Sequence, residues 1–374
     1  MPLEAVGIDP DLFVDDDGRA WMSVARDATV PGKGPGEIWM RELDLGTLAL
    51  VGPEHVLWRG AITGQWIEAP HVYRYHLICA EGGTGRHHAV TAASYAVVTG
   101  PYVTDPRSPL LTHRHLGEGA PVQCVGHADL VTSADGDWWA LVLGTRPIDG
   151  HHTMGRETFL APVTWDEHGP VIAPGVGRLE EVADGVPGAG VGAGADVAER
   201  PAAWVSLRGP VRGEVVGGAV VLHPEPVGLH ERGTPAFLGR RQDRHAFTFG
   251  CRLEVDEIGA SDAGVVALQD EATLVALRVR ATPAGPLARV EQRFGGEVRV
   301  LAERPVRGAV TLSVASDGRR YDLLLDGEVL ASVPHRELSS EASDSFVGIV
   351  LGVVNEGPVD GPRLTFADVV YAAG

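Results

Sequence analysis

Ile67-Glu68-Ala69-Pro70-His71-Val72 is the stretch on which the reading of the fold turns. A similar phrase, Ile8-Asp9-Pro10-Asp11-Leu12-Phe13, stands 59 positions earlier, and Gly126-His127-Ala128-Asp129-Leu130-Val131 stands 59 positions later. Each phrase is short, strand-like and opened by one polar residue. A unit of this length made of short strands and turns predicts β-propeller blades, whose units typically run ~40–50 residues. The innermost strand of a blade lines the central channel, so Asp9, Glu68 and His127 are expected to converge on one axis. Two carboxylates and an imidazole meeting there make a candidate active site.

The surrounding sequence has the same grammar. Asp15-Asp16-Asp17-Gly18 is a tight turn between Leu12-Phe13-Val14 and Ala20-Trp21-Met22-Ser23-Val24, which predicts a hairpin. Ala134-Asp135-Gly136-Asp137 plays the same part between Leu130-Val131 and the strand opening at Trp138. Glycines and prolines interrupt any longer helical period, so residues 1–182 are read as strands and turns. Residues 183–199 are rich in Gly and Ala and predict a flexible linker. Without a following Lys-Ser/Thr or a strand-to-helix context, the glycines there are not a phosphate loop. Residues 200–374 alternate again, with strands at Ala246–Leu253, Gly308–Val314 and Arg320–Leu325 and turns at Asp317-Gly318 and Asp326-Gly327, which predicts a β-sandwich.

Composition bounds the partners. The formal net charge of −19 argues against nucleic acid or an anionic membrane, both of which need a basic surface, and suits a neutral substrate such as a sugar. No apolar run approaches the ~18 residues of a membrane span. Met1-Pro2-Leu3-Glu4 has neither a basic nor an apolar leader region, so a cytoplasmic location is expected. Cys79, Cys124 and Cys251 lack metal-ligand spacing and read as free thiols. The first region holds about three repeats, whereas closed propellers use about four to eight blades. From that shortfall an absent N-terminal portion is expected.

Several phrases, in order and at similar spacing, resemble glycoside hydrolase family 43, in its β-xylosidase and α-L-arabinofuranosidase branch. They are Gly7–Phe13, Glu68-Ala69-Pro70-His71-Val72-Tyr73, Ala80-Glu81-Gly82-Gly83-Thr84, Gly126–Leu130 and Gly155-Arg156-Glu157-Thr158-Phe159. From Trp204-Val205-Ser206-Leu207 onward the chain resembles the concanavalin-like β-sandwich that follows the propeller there. The resemblance implies an all-β protein, an incomplete five-bladed propeller followed by that sandwich. It also implies inverting cleavage by three carboxylates acting on xylo- or arabino-oligosaccharides from hemicellulose, with no cofactor required.

By that resemblance Glu68 falls on the general acid. Asp9 falls on the carboxylate that tunes the acid and orients the sugar, because Leu12-Phe13-Val14-Asp15-Asp16-Asp17-Gly18 belongs to the same blade pattern. The base motif has no counterpart in the sequence. Inverting chemistry sets acid and base ~6.5–9.5 Å apart with a water between, and a missing base predicts impaired turnover. Each residue also has a plainer reading. Taken alone, Glu68 reads as an exposed strand-end carboxylate, and Asp9-Pro10 as a turn signal. His127 is either a channel residue, with Ca²⁺ or water near it, or a hydrogen-bonded core histidine. Arg156 presents a planar fork suited to sugar hydroxyls, or forms a salt bridge with Glu157 or another acid. Trp66 stacks on a sugar or packs in the core, and Phe346 is an aromatic that reaches over the pocket in this branch. The pairs His87-His88, His113/His115 and His151-His152 lack zinc spacing, and His88 is read as structural.

Three departures point to relaxed constraint: Ala69 where the family usually has Gly, a shortened turn between Tyr73 and His76, and Ala93-Ser94-Tyr95 in place of Ala-Arg-Ser. The alternatives to an active hydrolase are a carbohydrate-binding pseudoenzyme and a longer, active protein with an earlier start. The sequence leaves xylose against arabinose, and monomer against homo-oligomer, open.

Overall fold

The structure, a computed structural model, describes residues 5–30, 34–182 and 203–374. The predicted linker at 183–199 lies outside the described residues. The chain divides into two compact units, residues 1–146 with 157–187, and residues 147–156 with 188–374.

The first unit contains, among the described residues, three four-stranded antiparallel sheets, each a meander in chain order. The first is β1 (Ile8–Val14), β2 (Ala20–Asp27), β3 (Gly36–Asp44) and β4 (Ala49–Trp58). The second is β5 (Ile67–Tyr73), β6 (His76–Glu81), β7 (Ala89–Ser94) and β8 (Val103–Thr104). The third is β9 (Gln123–Thr132), β10 (Trp138–Thr145), β11 (Glu157–Asp166) and β12 (Gly169–Ile172). These are propeller blades, and the three phrases read from the sequence form their first strands.

Apolar faces hold neighbouring blades together. Trp21, Ile38 and Met40 of the first blade pack with Ile67, Leu77 and Cys79 of the second. Ile78, Val90 and Ala92 of the second pack with Ala128, Leu130 and Val142 of the third. The hairpin turns fall where the sequence placed them: the Gly18 N–H donates to the Asp15 carbonyl at 2.9 Å, and the Gly136 N–H to the Ser133 carbonyl at 3.0 Å.

The shortened turn after Tyr73 is a two-residue link, and both residues take left-handed backbone, Arg74 at φ 48° and Tyr75 at φ 65°. That conformation normally selects Asn-Gly. Here the side chains compensate through contacts elsewhere in the unit. The Arg74 guanidinium lies over Trp138 and Trp165, at 5.3 and 5.6 Å from the ring centroids. The Tyr75 hydroxyl donates to Asp15 Oδ1 at 2.6 Å.

The second unit is a two-sheet sandwich. One sheet runs β13 (Gly213–Val216), β14 (Ala219–Leu222), β25 (Leu364–Ala373), β16 (Ala246–Glu254), β21 (Ala309–Asp317), β22 (Arg320–Leu325) and β23 (Glu328–Pro334). The other runs β15 (Phe237–Arg241), β24 (Val350–Glu356), β17 (Asp262–Leu268), β18 (Leu274–Arg280), β19 (Leu287–Phe294) and β20 (Glu297–Pro305). Strands β21 and β22 alternate buried and open positions, as a sheet with one dry face must. Their inward residues meet those of β17, β18 and β24 in one core containing Phe249, Leu277, Leu323 and Val353.

Residues 147–156 interrupt the third blade in sequence yet pack as part of this second unit. The Ile349 N–H donates to the Thr153 carbonyl at 2.8 Å, and Gly155 bridges Val347. Gln242 Nε2 donates to Thr153 Oγ1 at 3.3 Å.

Tyr321 is fully buried, and its hydroxyl donates to Gln242 Oε1 at 2.6 Å. Tyr321→Phe leaves that oxygen without its donor, and a buried acceptor so stranded costs about 1–3 kcal/mol. Urea unfolding of the sandwich is expected to show a loss in that range; an unchanged midpoint contradicts the assignment.

Candidate active site

All three inner strands break register at the same point. Asp9 and Pro10 stand between the pairs Ile8↔Ala25 and Asp11↔Ser23, where β2 offers only one residue. Ala69 and Pro70 stand between Glu68↔Ala80 and His71↔Ile78. His127 stands between Gly126↔Leu143 and Ala128↔Val142, where β10 offers none. Left-handed φ recurs at Asp9 (52°), Ala69 (49°) and His127 (50°). Such bulges re-aim side chains and gather at functional sites, where local strain of about 1–3 kcal/mol is tolerated. By register, Asp9, Ala69 and His127 are the equivalent positions, at spacings of 60 and 58 rather than 59 and 59. Glu68 lies one residue before its bulge, level with Ile8 and Gly126.

The bulges bring the two carboxylate positions together. Asp9 Oδ2 accepts the Ala69 N–H at 3.2 Å, so its carboxylate lies against the peptide that joins Glu68 to Ala69. Glu68 itself is half-buried. Two positions beyond each bulge comes a second ring of polar groups that the sequence reading passed over: Asp11, His71 and Asp129. His71 Nδ1 lies 3.2 Å from Asp11 Oδ1, and Asp11 Oδ2 accepts the Val72 N–H at 3.4 Å. His71 Nε2 lies 3.5 Å from His127 Nε2, with ring centroids 5.7 Å apart. The Tyr73 hydroxyl donates to Asp129 Oδ1 and accepts the Leu130 N–H at 2.9 Å. The signal was a second polar residue two or three places after each opening one, in Asp9-Pro10-Asp11, Glu68-Ala69-Pro70-His71 and His127-Ala128-Asp129.

Burial alone pulls the His71 pKa down. It is outweighed by the hydrogen bond to Asp11 and by the charges of Asp11, Asp129 and Asp9, so the imidazole is held above its ordinary value of 6.5. Tyr73 is pushed well up by burial, then by its bond to Asp129.

His88 is structural, as read. It is buried, its Nδ1 lies 3.0 Å from the Cys124 carbonyl, and a Cβ on Gly126 would come within 2.3 Å of its ring. His113 is also engaged: its Nδ1 lies 2.7 Å from the Val122 carbonyl, and its Nε2 accepts the Leu179 N–H at 2.8 Å. Glu81, from the Ala80-Glu81-Gly82-Gly83-Thr84 phrase, is fully buried and accepts from Ala61 N, Ile62 N and Thr91 Oγ1 at 2.7, 2.8 and 2.6 Å. It pins the loop that leads into β5. Trp66 is half-buried beside Gly36, whose Cβ position is 3.3 Å from its ring.

Arg156 and Phe346 belong to the second unit. The exposed Phe346 ring lies under the Arg156 guanidinium, 5.0 Å from centroid to carbon. Glu157 pairs instead with Arg146, at 2.7 Å. Among the described residues no group of three or more His, Cys, Asp or Glu side chains is placed to hold a metal ion. Calcium takes about six to eight oxygens, whereas His127 turns a ring nitrogen to His71. The calcium expectation near His127 therefore gains no ligand set among the described residues.

The family model described as Glycosyl hydrolases family 43 matches residues 1–171, and that described as Beta xylosidase C-terminal Concanavalin A-like domain matches 197–373. The chain belongs to glycosyl hydrolase family 43. A xylosidase/arabinosidase from Butyrivibrio fibrisolvens is 36% identical over 298 residues, covering 71% of this chain and 56% of that one. A non-reducing end α-L-arabinofuranosidase from Bacteroides ovatus is 28% identical over 313 residues, covering 78% and 59%. This family 43 chain thus spans little more than half the length of these curated relatives. Among solved structures, a xylan β-1,4-xylosidase from Bacillus halodurans superposes with a TM-score of 0.84 at 26% identity, covering 99% of this chain and 77% of that one.

Two outcomes follow for the site. The folded state holds the His71 proton more tightly than the unfolded chain does. The resulting stability is present in full below pH 6.5 and is lost as the pH rises through the raised folded value. His71→Gln is expected to flatten that slope in unfolding measured across pH; an identical slope contradicts it. Gly126→Ala drives a methyl into the His88 ring, and overpacking of this kind costs about 1–3 kcal/mol. Thermal unfolding of the first unit checks it, and an unshifted midpoint contradicts it.

Proposed function

We propose that this chain acts on the glycosidic bond of xylo- or arabino-oligosaccharides, with Glu68 as general acid and Asp9 as the carboxylate that tunes it and orients the sugar. The observation that carries this reading is the bond from the Ala69 N–H to Asp9 Oδ2, which sets one carboxylate against the backbone of the other. A neighbouring anion raises the pKa of a carboxyl and helps an acid keep its proton near neutral pH. Support also comes from the relatives, whose names are xylosidase and arabinosidase. Within the first unit, His127 is assigned to sugar hydroxyls and Trp66 to a sugar face; the sugar-binding roles of Arg156 and Phe346, in the second unit, rest on the family resemblance alone. A neutral oligosaccharide as partner, rather than nucleic acid or an anionic membrane, is in keeping with the −19 charge.

Turnover by this chain is expected to be weak. The base motif has no counterpart in the sequence, and loss of a general base costs about 10²–10⁴ in rate. A second reading, sugar binding without turnover, is favoured by the same missing motif and by Asp9, Asp11 and Tyr73 all bonding backbone N–H groups.

Release of nitrophenol from nitrophenyl β-xyloside and α-L-arabinofuranoside separates the two. Wild-type chain above a Glu68→Gln control by about 10²-fold or more supports the hydrolase. Equal rates, with xylose or arabinose still bound, support the binding protein and remove Glu68 from its role.

A further inference from the structure

Glu81 is a fully buried carboxylate on β6, and the loop that precedes β5 is folded around it. The Ala61 N–H donates to Oε1 at 2.7 Å and the Ile62 N–H to Oε2 at 2.8 Å, so each oxygen takes one of two successive amides. Successive N–H groups turned to one side make a concavity for an anion. Here the anion is a side chain of the same unit. From within the blade the Thr91 hydroxyl adds a third bond, to Oε1 at 2.6 Å. Gly60 permits the close approach: its φ is +94°, and a Cβ there would stand 2.9 Å from Oε2 and 3.1 Å from Oε1.

The far end of the loop returns to the same phrase. The Gln65 N–H donates to the Ile62 carbonyl at 3.1 Å, and the Gly82 N–H donates to the Trp66 carbonyl at 3.4 Å. The segment from Gly60 to Trp66 is thus closed on Glu81-Gly82, while Thr63 and Gly64 at its tip are exposed. The Trp66 ring lies against Gly36 at the start of β3. Strand β5 begins one residue later, and Ile67 and Glu68 pair with Glu81 and Ala80 in the sheet. Glu68 therefore keeps its place by strand pairing, whereas the loop that ends at Trp66 hangs on the Glu81 carboxylate.

Such an anchor is costly. Burial pushes the Glu81 pKa up, against the lowering effect of its three hydrogen-bond donors. A charge in the core is unfavourable even when hydrogen-bonded, and a loop that served only to connect β4 to β5 could leave its amides to water. We propose that Glu81 is a positioning residue, which fixes the seat of Trp66 and thereby sets the affinity of the site for a pentose ring. The proposal rests on the sugar-site reading above, in which Trp66 meets a sugar face. A contact made alike with bound sugar and transition state acts on KM and not on kcat.

Glu81→Gln tests it in the full-length chain. The variant keeps the size of the side chain but replaces one acceptor by an NH₂ group, which only donates. Hydrogen exchange at the Ala61 and Ile62 amides is expected to quicken. The Kd for xylose or arabinose is expected to rise by about 10- to 100-fold, the size of one lost hydrogen bond to a charged group. With nitrophenyl β-xyloside or α-L-arabinofuranoside the loss is expected in KM, with kcat unchanged. Gly60→Ala displaces the same carboxylate from the loop side and is expected to weaken binding likewise. Trp66→Ala lowers affinity by itself, and adding Glu81→Gln to it is expected to change Kd no further, because no ring is left to position. A folded Glu81→Gln or Gly60→Ala chain with unchanged Kd, or a Glu81→Gln loss that adds in full to that of Trp66→Ala, overturns the inference. A wild-type chain that binds neither pentose overturns the sugar-site reading, and the role of Glu81 in affinity with it.

Discussion

The inner strand of a propeller blade has a free edge, and the edge must find partners for its N–H groups. Sheet pairing cannot supply them, because each blade pairs only within itself. In this chain side chains do so. Asp9 and Asp11 of β1 take the N–H groups of Ala69 and Val72 on β5, and the Tyr73 hydroxyl of β5 takes that of Leu130 on β9. Buried backbone donors left unpaired cost about 1–3 kcal/mol each, so these bonds are a condition of stacking the blades. The polar residues of the axis are there first for that reason. Their chemistry follows, since the same requirement crowds carboxylates, imidazoles and a phenol into one region.

That double duty explains the bulges. A regular strand would send successive side chains to opposite faces, and a one-residue slip would reverse them all. An inserted residue with left-handed backbone at Asp9, Ala69 and His127 changes the aim of a few side chains without moving the apolar ones. Pro10 and Pro70 fit there because a bulge has ladder positions that need no N–H. Ala69, where the family usually has Gly, occupies such a left-handed position, and it bears a Cβ penalty that glycine avoids.

Much of this was legible in the sequence. Asp15-Asp16-Asp17-Gly18 and Asp135-Gly136 marked their hairpins because turn residues act locally, and the three phrases marked the inner strands because their repeats recur. What escaped depends on contacts across blades. The spacing of 59 averaged two unequal intervals, since inserted residues show only in cross-strand pairing. His71 carries no visible role in the sequence, because nothing on β5 itself announces an imidazole facing it from β9. Adjacency offers Glu157 to Arg156, whereas the fold gives it to Arg146, just beyond the end of the neighbouring strand β10. Residues 147–156 read as part of the propeller because chain order puts them there, yet their hydrogen bonds run to Ile349 and Gln242.

The account stands on one arrangement: inner strands cross-linked by their polar side chains, with Asp9 and Glu68 serving a single sugar. A crystal structure of the full chain soaked with xylose tests it most directly. The account predicts one ordered pentose with the carboxylates of Asp9 and Glu68 both within hydrogen-bond distance. An ordered sugar bound elsewhere, with those two carboxylates too far apart to reach one ring, contradicts it.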